Sequence, residues 1–428
     1  MSLENEFPES FIGSVAAFEG VSDGYTVIHG PSGCKLYPSS LMDDCYPRGN
    51  QEMPSGRNPL FIGAHYFFGQ PRVPCTYLDM GTFITGAPGR LKELVGYVEG
   101  MRPKLISIIN SPGASLVGED LTAVKSDIPL VLMDHPVYSG TEAEGFQDGV
   151  LRILDVVVPD RKGPRKGVNL TGVSITHLNW QDTVEDLSSL LRVCGIDVNM
   201  CIGAGWSTDD IRRSADAELI VPIYPEYGDA IAARYSADYG VPSFVSPDGA
   251  PIGFDALETW VKGVCGCLNK DPSPALALIH EKRAAAAAEI RRMEARHSLP
   301  KGRTFALECG GSTAYAVTRF LYGYLGMIPV GIRCSGGESW NRMLGDYLDV
   351  LGIPVSVEPE TVETDIIISS GPVCSAAVER GSALEYAVIE RPPVRTVNIN
   401  PAPAIGLGGT VSLLESVLEA VSRHHRFR

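Results

Sequence analysis

Tyr25-Thr26-Val27-Ile28-His29-Gly30-Pro31-Ser32-Gly33-Cys34 is a β-branched, apolar run that stops at a cluster of chain-breaking residues. The run predicts a strand, and Gly-Pro-Ser-Gly behind it predicts a turn that delivers Cys34 at the strand's carboxyl end. Open α/β sheets bind their ligands at that end. Cys34 therefore stands where chemistry is done, and a second cysteine beside a proline, Pro74-Cys75, is its natural companion.

Working outward, short β-branched runs alternate with longer helical stretches almost to the end of the chain. Strands are expected at Tyr25 to Ile28, Leu105 to Ile109, Leu130 to Met133, Val168 to Ile175, Leu219 to Ile223, Thr304 to Glu308, Ile328 to Ile332, Asp365 to Ser369 and Arg395 to Asn398. Helices are expected around Arg90 to Glu99, Thr141 to Leu154, Thr183 to Cys194, Asp229 to Tyr239, Phe254 to Gly263, His280 to Ala295, Thr313 to Leu325, Trp340 to Leu351 and Val411 to Val421. This alternation implies mostly parallel sheets covered by helices. Gly240-Val241-Pro242, Gly326-Met327-Ile328-Pro329 and Gly352-Ile353-Pro354 repeat one device: a glycine that stops a helix and a proline that prevents its continuation.

At 428 residues the chain exceeds one ordinary core. Three α/β domains are expected: 1–162, carrying the two cysteines; 163–298, entered through the charged, Gly- and Pro-containing stretch Asp160 to Gly167; and 299–428, whose last helix is expected to return to the first domain.

Lys plus Arg number 36 against 51 Asp plus Glu, a formal charge of -15, and the only basic cluster is the tail Arg423-His424-His425-Arg426-Phe427-Arg428. Nucleic acid is not expected as a partner. Neither a signal-type start nor a long apolar run occurs, so no membrane is expected and a cytoplasmic location is. Ten scattered cysteines suit a reducing compartment and leave thiolates available for metal.

Thiolates bind soft metals, and a four-iron cluster usually takes four of them. Cys34 and Cys75 are the placed candidates, with Gly33 allowing close backbone approach, and Cys45 in the polar loop Met42 to Arg48 is a third candidate ligand. The alternative for all three is a buried inert thiol. Cys265-Gly266-Cys267 is expected at a surface turn, and the remaining cysteines are expected in the core. His29 and His65 are candidate substrate-side groups because they precede the two cysteines. Arg342, at a helix start after Gly336-Gly337, is a candidate carboxylate holder.

His29 to Cys34 resembles the loop with the first cluster cysteine in component 1 of nitrogenase and its relatives. Tyr66 to Met80, around Pro74-Cys75, is similar to the segment with the second. Pro103 to Asp120 resembles the family's next strand and third-cysteine loop, but Pro112 stands where the third cysteine would be. Gly172, Pro251-Ile252-Gly253 and Gly408-Gly409-Thr410 extend the resemblance from about residue 15 to 420. It implies a fold of three Rossmann-like parallel-sheet domains.

The departures shape what the resemblance implies. Tyr224 occupies the region where the nitrogenase α chain has the thiol for the iron-molybdenum cofactor, so that cofactor is not expected here. The resemblance implies that Tyr224, Glu226 and Tyr227 on this loop are candidate contacts of an organic substrate and that Tyr224 is a candidate catalytic group. Two matched cysteines imply a 4Fe-4S cluster shared between subunits, in a homodimer or with a related component 1 chain. Electrons would come from an ATP-dependent iron-sulfur reductase and pass to a small organic substrate, of which a tetrapyrrole is one candidate. No Gly-x-x-x-x-Gly-Lys loop for ATP occurs in this chain. The competing readings are a scaffold that assembles and passes on a cluster or metallocofactor, and a noncatalytic heterodimer partner.

Overall fold

Every apolar β-branched run that forms a strand pairs in parallel, and the strands collect into three sheets. The computed structural model describes residues 9–46, 72–85, 88–115, 118, 120–134, 139–295, 298–391 and 399–425. In the first sheet β1 (Gly24–His29), β2 (Leu105–Asn110) and β3 (Leu130–Met133) lie in the order β1-β2-β3. In the second, β4 (Val168–Thr171) lies between β5 (Val198–Ile202) and β6 (Leu219–Pro222). The third orders β7 (Thr304–Cys309), β8 (Ile328–Cys334), β9 (Thr364–Ser370) and β10 (Ala383–Glu390) as β10-β9-β7-β8. Parallel neighbours need long crossovers, and helices supply them.

Around the first sheet are α1 (Glu9–Glu19), α2 (Ser32–Cys45), α3 (Met80–Thr85), α4 (Pro88–Glu99), α5 (Pro112–Ser115) and α6 (Glu142–Val156). The second sheet is followed through by α7 (Trp180–Arg192), α8 (Thr208–Arg213), α9 (Pro225–Tyr239) and α10 (Phe254–Cys267). The long α11 (Ser273–Glu294) leads to α12 (Gly311–Leu325), α13 (Glu338–Leu351), α14 (Gly371–Arg380) and α15 (Gly406–His425). Gly240, Gly326 and Gly352 end α9, α12 and α13 at φ 60, 68 and 67°, the left-handed stop that the repeated motif predicts.

Several elements depart from the sequence reading. β5 and β10 form where no strand is expected; β10 is an edge strand whose mixed polar and apolar residues match its half-wet position. The strand expected over Arg395 to Asn398 lies outside the described residues. β4 stops at Thr171, because Gly172 turns away at φ 77° and passes so near the Tyr224 loop that a Cβ would meet the Tyr224 carbonyl at 2.4 Å. Cys265 and Cys267 sit in the last turn of α10, one buried and one exposed, rather than in a surface turn. The last helix packs on α7 and β10: Asp186 of α7 accepts the Leu407 amide at 2.7 Å, and Arg423 reaches Glu385 of β10 at 3.2 Å.

Helix α1, also not expected, is buried on all faces through Phe11, Ile12, Val15, Ala16, Ala17 and Phe18. It packs on α6 at backbone contact. A Cβ at Gly13 would lie 1.9 Å from the Glu142 carbonyl oxygen, and one at Gly145 would lie 1.8 Å from that of Ser10. Gly145→Ala must push the two helices apart, and overpacking of this kind costs about 1–3 kcal/mol. A lowered thermal unfolding midpoint is the expected result.

Candidate functional site

Two segments of chain meet at the carboxyl end of β1. After β1, Gly30-Pro31 turns into α2 and places Cys34 in that helix's first turn, with the Cys34 amide on the Pro31 carbonyl at 3.1 Å. Residues 74 to 78 run along the outer edge of β1, where Cys75 bridges Ile28 in parallel. Ile28 donates to the Pro74 carbonyl at 2.9 Å, Thr76 to the Ile28 carbonyl at 3.2 Å, and Leu78 to the Gly30 carbonyl at 3.2 Å. The Thr76 hydroxyl accepts the Gly30 amide at 2.9 Å and meets His29 Nδ1 at 3.0 Å. Cys75 is thus held by the sheet itself, close enough to Cys34 for their charges to interact.

The backbone around Cys75 is unusual. Val73 and Tyr77 both adopt positive φ, 51 and 52°, and a β-branched residue there is a strained one. Gly30, not Gly33, is the glycine that close approach requires. A Cβ on Gly30 would meet Ser111 Oγ at 2.2 Å, whereas Gly33 is exposed with open space beside it.

Burial governs the electrostatics. It pushes the Cys75 thiol up to about 11, against the opposing pull of the Tyr77 amide and of Lys35. It also raises Cys34, while a hydrogen bond from Ser111 works the other way. Lys35 is 1% exposed; burial lowers its pKa, and the neighbouring Cys75 and Asp43 charges raise it. A cation binding both sulfurs would displace their protons, and Lys35, Ser111, the Tyr77 amide and the positive start of α2 all favour the resulting thiolates. Lys35 and Ser111 escape the sequence reading. Their only signal is adjacency to Cys34 and to Pro112.

The other candidates go elsewhere. Cys45 ends the helix that Cys34 begins, about 16 Å away along its axis at 1.5 Å per residue. There it is buried, with its thiol pushed up to about 12, and its carbonyl accepts the Trp180 indole N–H at 3.2 Å. His29 is fully buried beneath the cysteine loops and is held by Thr76. Tyr224 is buried at the start of α9, its ring 4.2 Å from that of His177, at the junction of the second and third sheets. Arg342 is exposed on α13. His65 lies outside the described residues.

The donor set matches only part of the cluster that the sequence reading implies. Pro112 opens the single turn α5 directly after Ser111, and it brings no thiol to the pair. Among the described residues no group of three or more His, Cys, Asp or Glu is arranged to hold a metal ion. The chemistry of Cys34 and Cys75 fits iron and sulfide, and their number fits half of a four-thiolate site. Close to them in sequence, Leu36 and Tyr37 on α2, and Met80 and Ile84 on α3, are 40, 47, 79 and 81% exposed. Among the described residues no helix is long and apolar enough to cross a membrane.

A family model for nitrogenase component 1 type oxidoreductases matches residues 10–422. The chain is 24% identical over 331 residues to a light-independent protochlorophyllide reductase chain of Synechococcus sp. (strain CC9311), covering 72% of this chain and 61% of that protein. It is 26% identical over 334 residues to the protein of the same description from Methylobacterium sp. (strain 4-46), covering 74 and 64%. It therefore spans less than two thirds of the length of these curated relatives. A solved structure described as nitrogenase Cp1 at pH 6.5 superposes with a TM-score of 0.78 at 15% identity, covering 100% of this chain and 95% of that one. That likeness shows the three-sheet α/β fold.

Proposed function

We infer that this chain, which belongs to the nitrogenase component 1 type oxidoreductase family, is the substrate-reducing component of a two-part reductase. Electrons come from a separate ATP-dependent iron-sulfur protein, and the substrate is an organic molecule of the tetrapyrrole class. The convergence of Cys34 and Cys75 at the end of β1 carries this reading. The resemblance of the chain to protochlorophyllide reductase chains supports the substrate class.

Cys34 and Cys75 would hold one side of a 4Fe-4S cluster, which when bound supplies one-electron transfer. A second protomer, either an identical chain or a related component 1 chain, supplies the other side. Leu36, Tyr37, Met80 and Ile84 form the apolar margin it would cover. On binding iron the two cysteines would give up their protons to solvent. Lys35 offsets negative charge, and Ser111 and the Tyr77 amide hydrogen-bond the sulfurs and hold them in place. Ten free cysteines are consistent with a cytoplasmic location.

The test combines the anaerobically purified chain, its ATP-dependent iron-sulfur partner and protochlorophyllide. ATP-dependent loss of the protochlorophyllide absorption is the expected result. Transfer of iron and sulfide to an apo-acceptor, without any consumption of the tetrapyrrole, would overturn the reductase reading in favour of a cluster scaffold.

A further inference from the structure

Away from the cysteine pair, acidic side chains from separate elements meet where the sheets join. Glu142 comes from the first turn of α6, Glu226 from the first turn of α9, Glu308 from β7 and Glu390 from the end of β10; the charges of the other three all act on Glu390. Tyr224, His177, Cys309 and Cys334 stand among them, and Asp229 lies one turn along α9. Among the described residues two arginines stand near them. Arg333 is engaged by Glu308 at 2.8 Å and Glu360 at 3.0 Å, and Arg391 donates to the His177 carbonyl at 3.5 Å. Glu142 accepts the Thr176 hydroxyl. Among the described residues acid outnumbers base there, and Glu226 and Glu390 make no ion pair.

These two carboxyls are positioned by backbone. Glu226 Oε1 accepts the Ser312 amide at 3.2 Å, and Glu390 Oε1 accepts the Gly310 amide at 3.4 Å. The glycine loops crowd Glu226: a Cβ on Gly310 would lie 2.7 Å from its Oε1, and one on Gly337 would lie 3.4 Å from its Cβ. Glu226 is only 9% exposed, and its second oxygen, Oε2, has no hydrogen-bond partner among the described residues. An ionised carboxylate with a bare buried oxygen is costly, so burial favours the carboxylic acid form of Glu226. The strand ends of the third sheet, Cys309 and Cys334, border the same place, which is the ligand-binding end of a parallel sheet.

We propose that Glu226 and Glu390 donate protons to a substrate bound at this junction, an inference that rests on the reductive function above. For each electron delivered by the ATP-dependent iron-sulfur protein, one carboxylic O–H bond breaks and its proton forms a bond to the substrate. A carboxylate remains on the Ser312 or Gly310 amide, and solvent restores its proton before the next electron. Burial, reinforced by Glu142, Glu226 and Glu308, pushes Glu390 up to about 8, so the acid form prevails at neutral pH and is lost above that value.

Infrared spectra of the full chain test the proton store without any cluster or turnover. The wild type is expected to show the carbonyl stretch of a buried carboxylic acid, shifted in D2O and lost as pH rises through about 8. Glu390→Gln should lack that titrating band, and Glu390→Asp should keep one. A wild type without the band, or an unchanged band in Glu390→Gln, would overturn the proposal. In turnover with protochlorophyllide, the Glu226→Gln, Glu390→Gln double variant should form product about 100-fold more slowly. Its rate of electron uptake from the ATP-dependent partner should stay the same. Equal product formation by variant and wild type overturns proton donation alone, while ATP-supported inactivity of the wild type overturns the functional reading itself.

Discussion

Anaerobically prepared wild-type protein is expected to hold about two irons and two sulfides per protomer, and Cys34→Ser or Cys75→Ser to hold almost none. A four-iron cluster shared by two chains takes two thiolates from each, so one substitution in a homodimer removes two of four ligands at once. A hydroxyl does not replace them, because it is a hard donor that keeps its proton at neutral pH. Serine matches cysteine closely in shape, so the fold around β1 survives and the loss reads ligation. Cys45→Ser is expected to leave the iron content unchanged, because a full helix separates Cys45 from Cys34. Elemental analysis with sizing of the same samples checks all three variants. Iron-free wild type made with cluster-assembly machinery and its partner would overturn the assignment.

Glu19→Ala is expected to destabilise the protein by about 3–5 kcal/mol, the usual consequence of leaving one member of a buried ion pair alone. Arg72 Nε donates to Glu19, and the two side chains are 8 and 2% exposed. Arg72 Nη1 also donates to the Met42 carbonyl at 3.0 Å and to that of Tyr46, so one guanidinium ties α1, the end of α2 and the approach to Cys75 together. Removing Glu19 leaves the buried guanidinium with two carbonyl dipoles and the more distant, half-exposed Asp43 carboxylate at 3.8 Å. The first transition in urea should move to lower denaturant with little change in slope. Joint replacement by apolar residues, Glu19→Leu with Arg72→Met, should recover much of the loss, since neither charge is then stranded. Because Arg72 lies just ahead of Val73-Pro74-Cys75, the single variant should also hold its iron less tightly.

The parts of the fold legible in sequence are those written locally. Val27 and Ile28 before Gly30-Pro31, or Ile106 to Ile109 before Ser111-Pro112, state both a strand and its end. Helix α1 is hidden because it is buried on every side, with Ser10, Ser14 and Glu19 buried among its apolar residues, so no apolar stripe marks it. β10 is hidden because an edge strand mixes Glu385 and Glu390 with its apolar residues. Cys45 reads as loop because Asp43 and Asp44 precede it, yet packing against Trp180 carries α2 through to it.

The same division runs through the site. The sequence alone determined that Cys34 follows a strand, that Cys75 follows a proline, and that Pro112 offers no third thiol, because each depends only on neighbours in the chain. It could not say that Cys75 would bridge Ile28, that Lys35 would be buried beside the thiols, or that Glu226 and Glu390 would meet across two sheets. Those facts depend on burial and on contacts between residues far apart in sequence. Desolvation and charge coupling act through space, so only the tertiary structure could decide them.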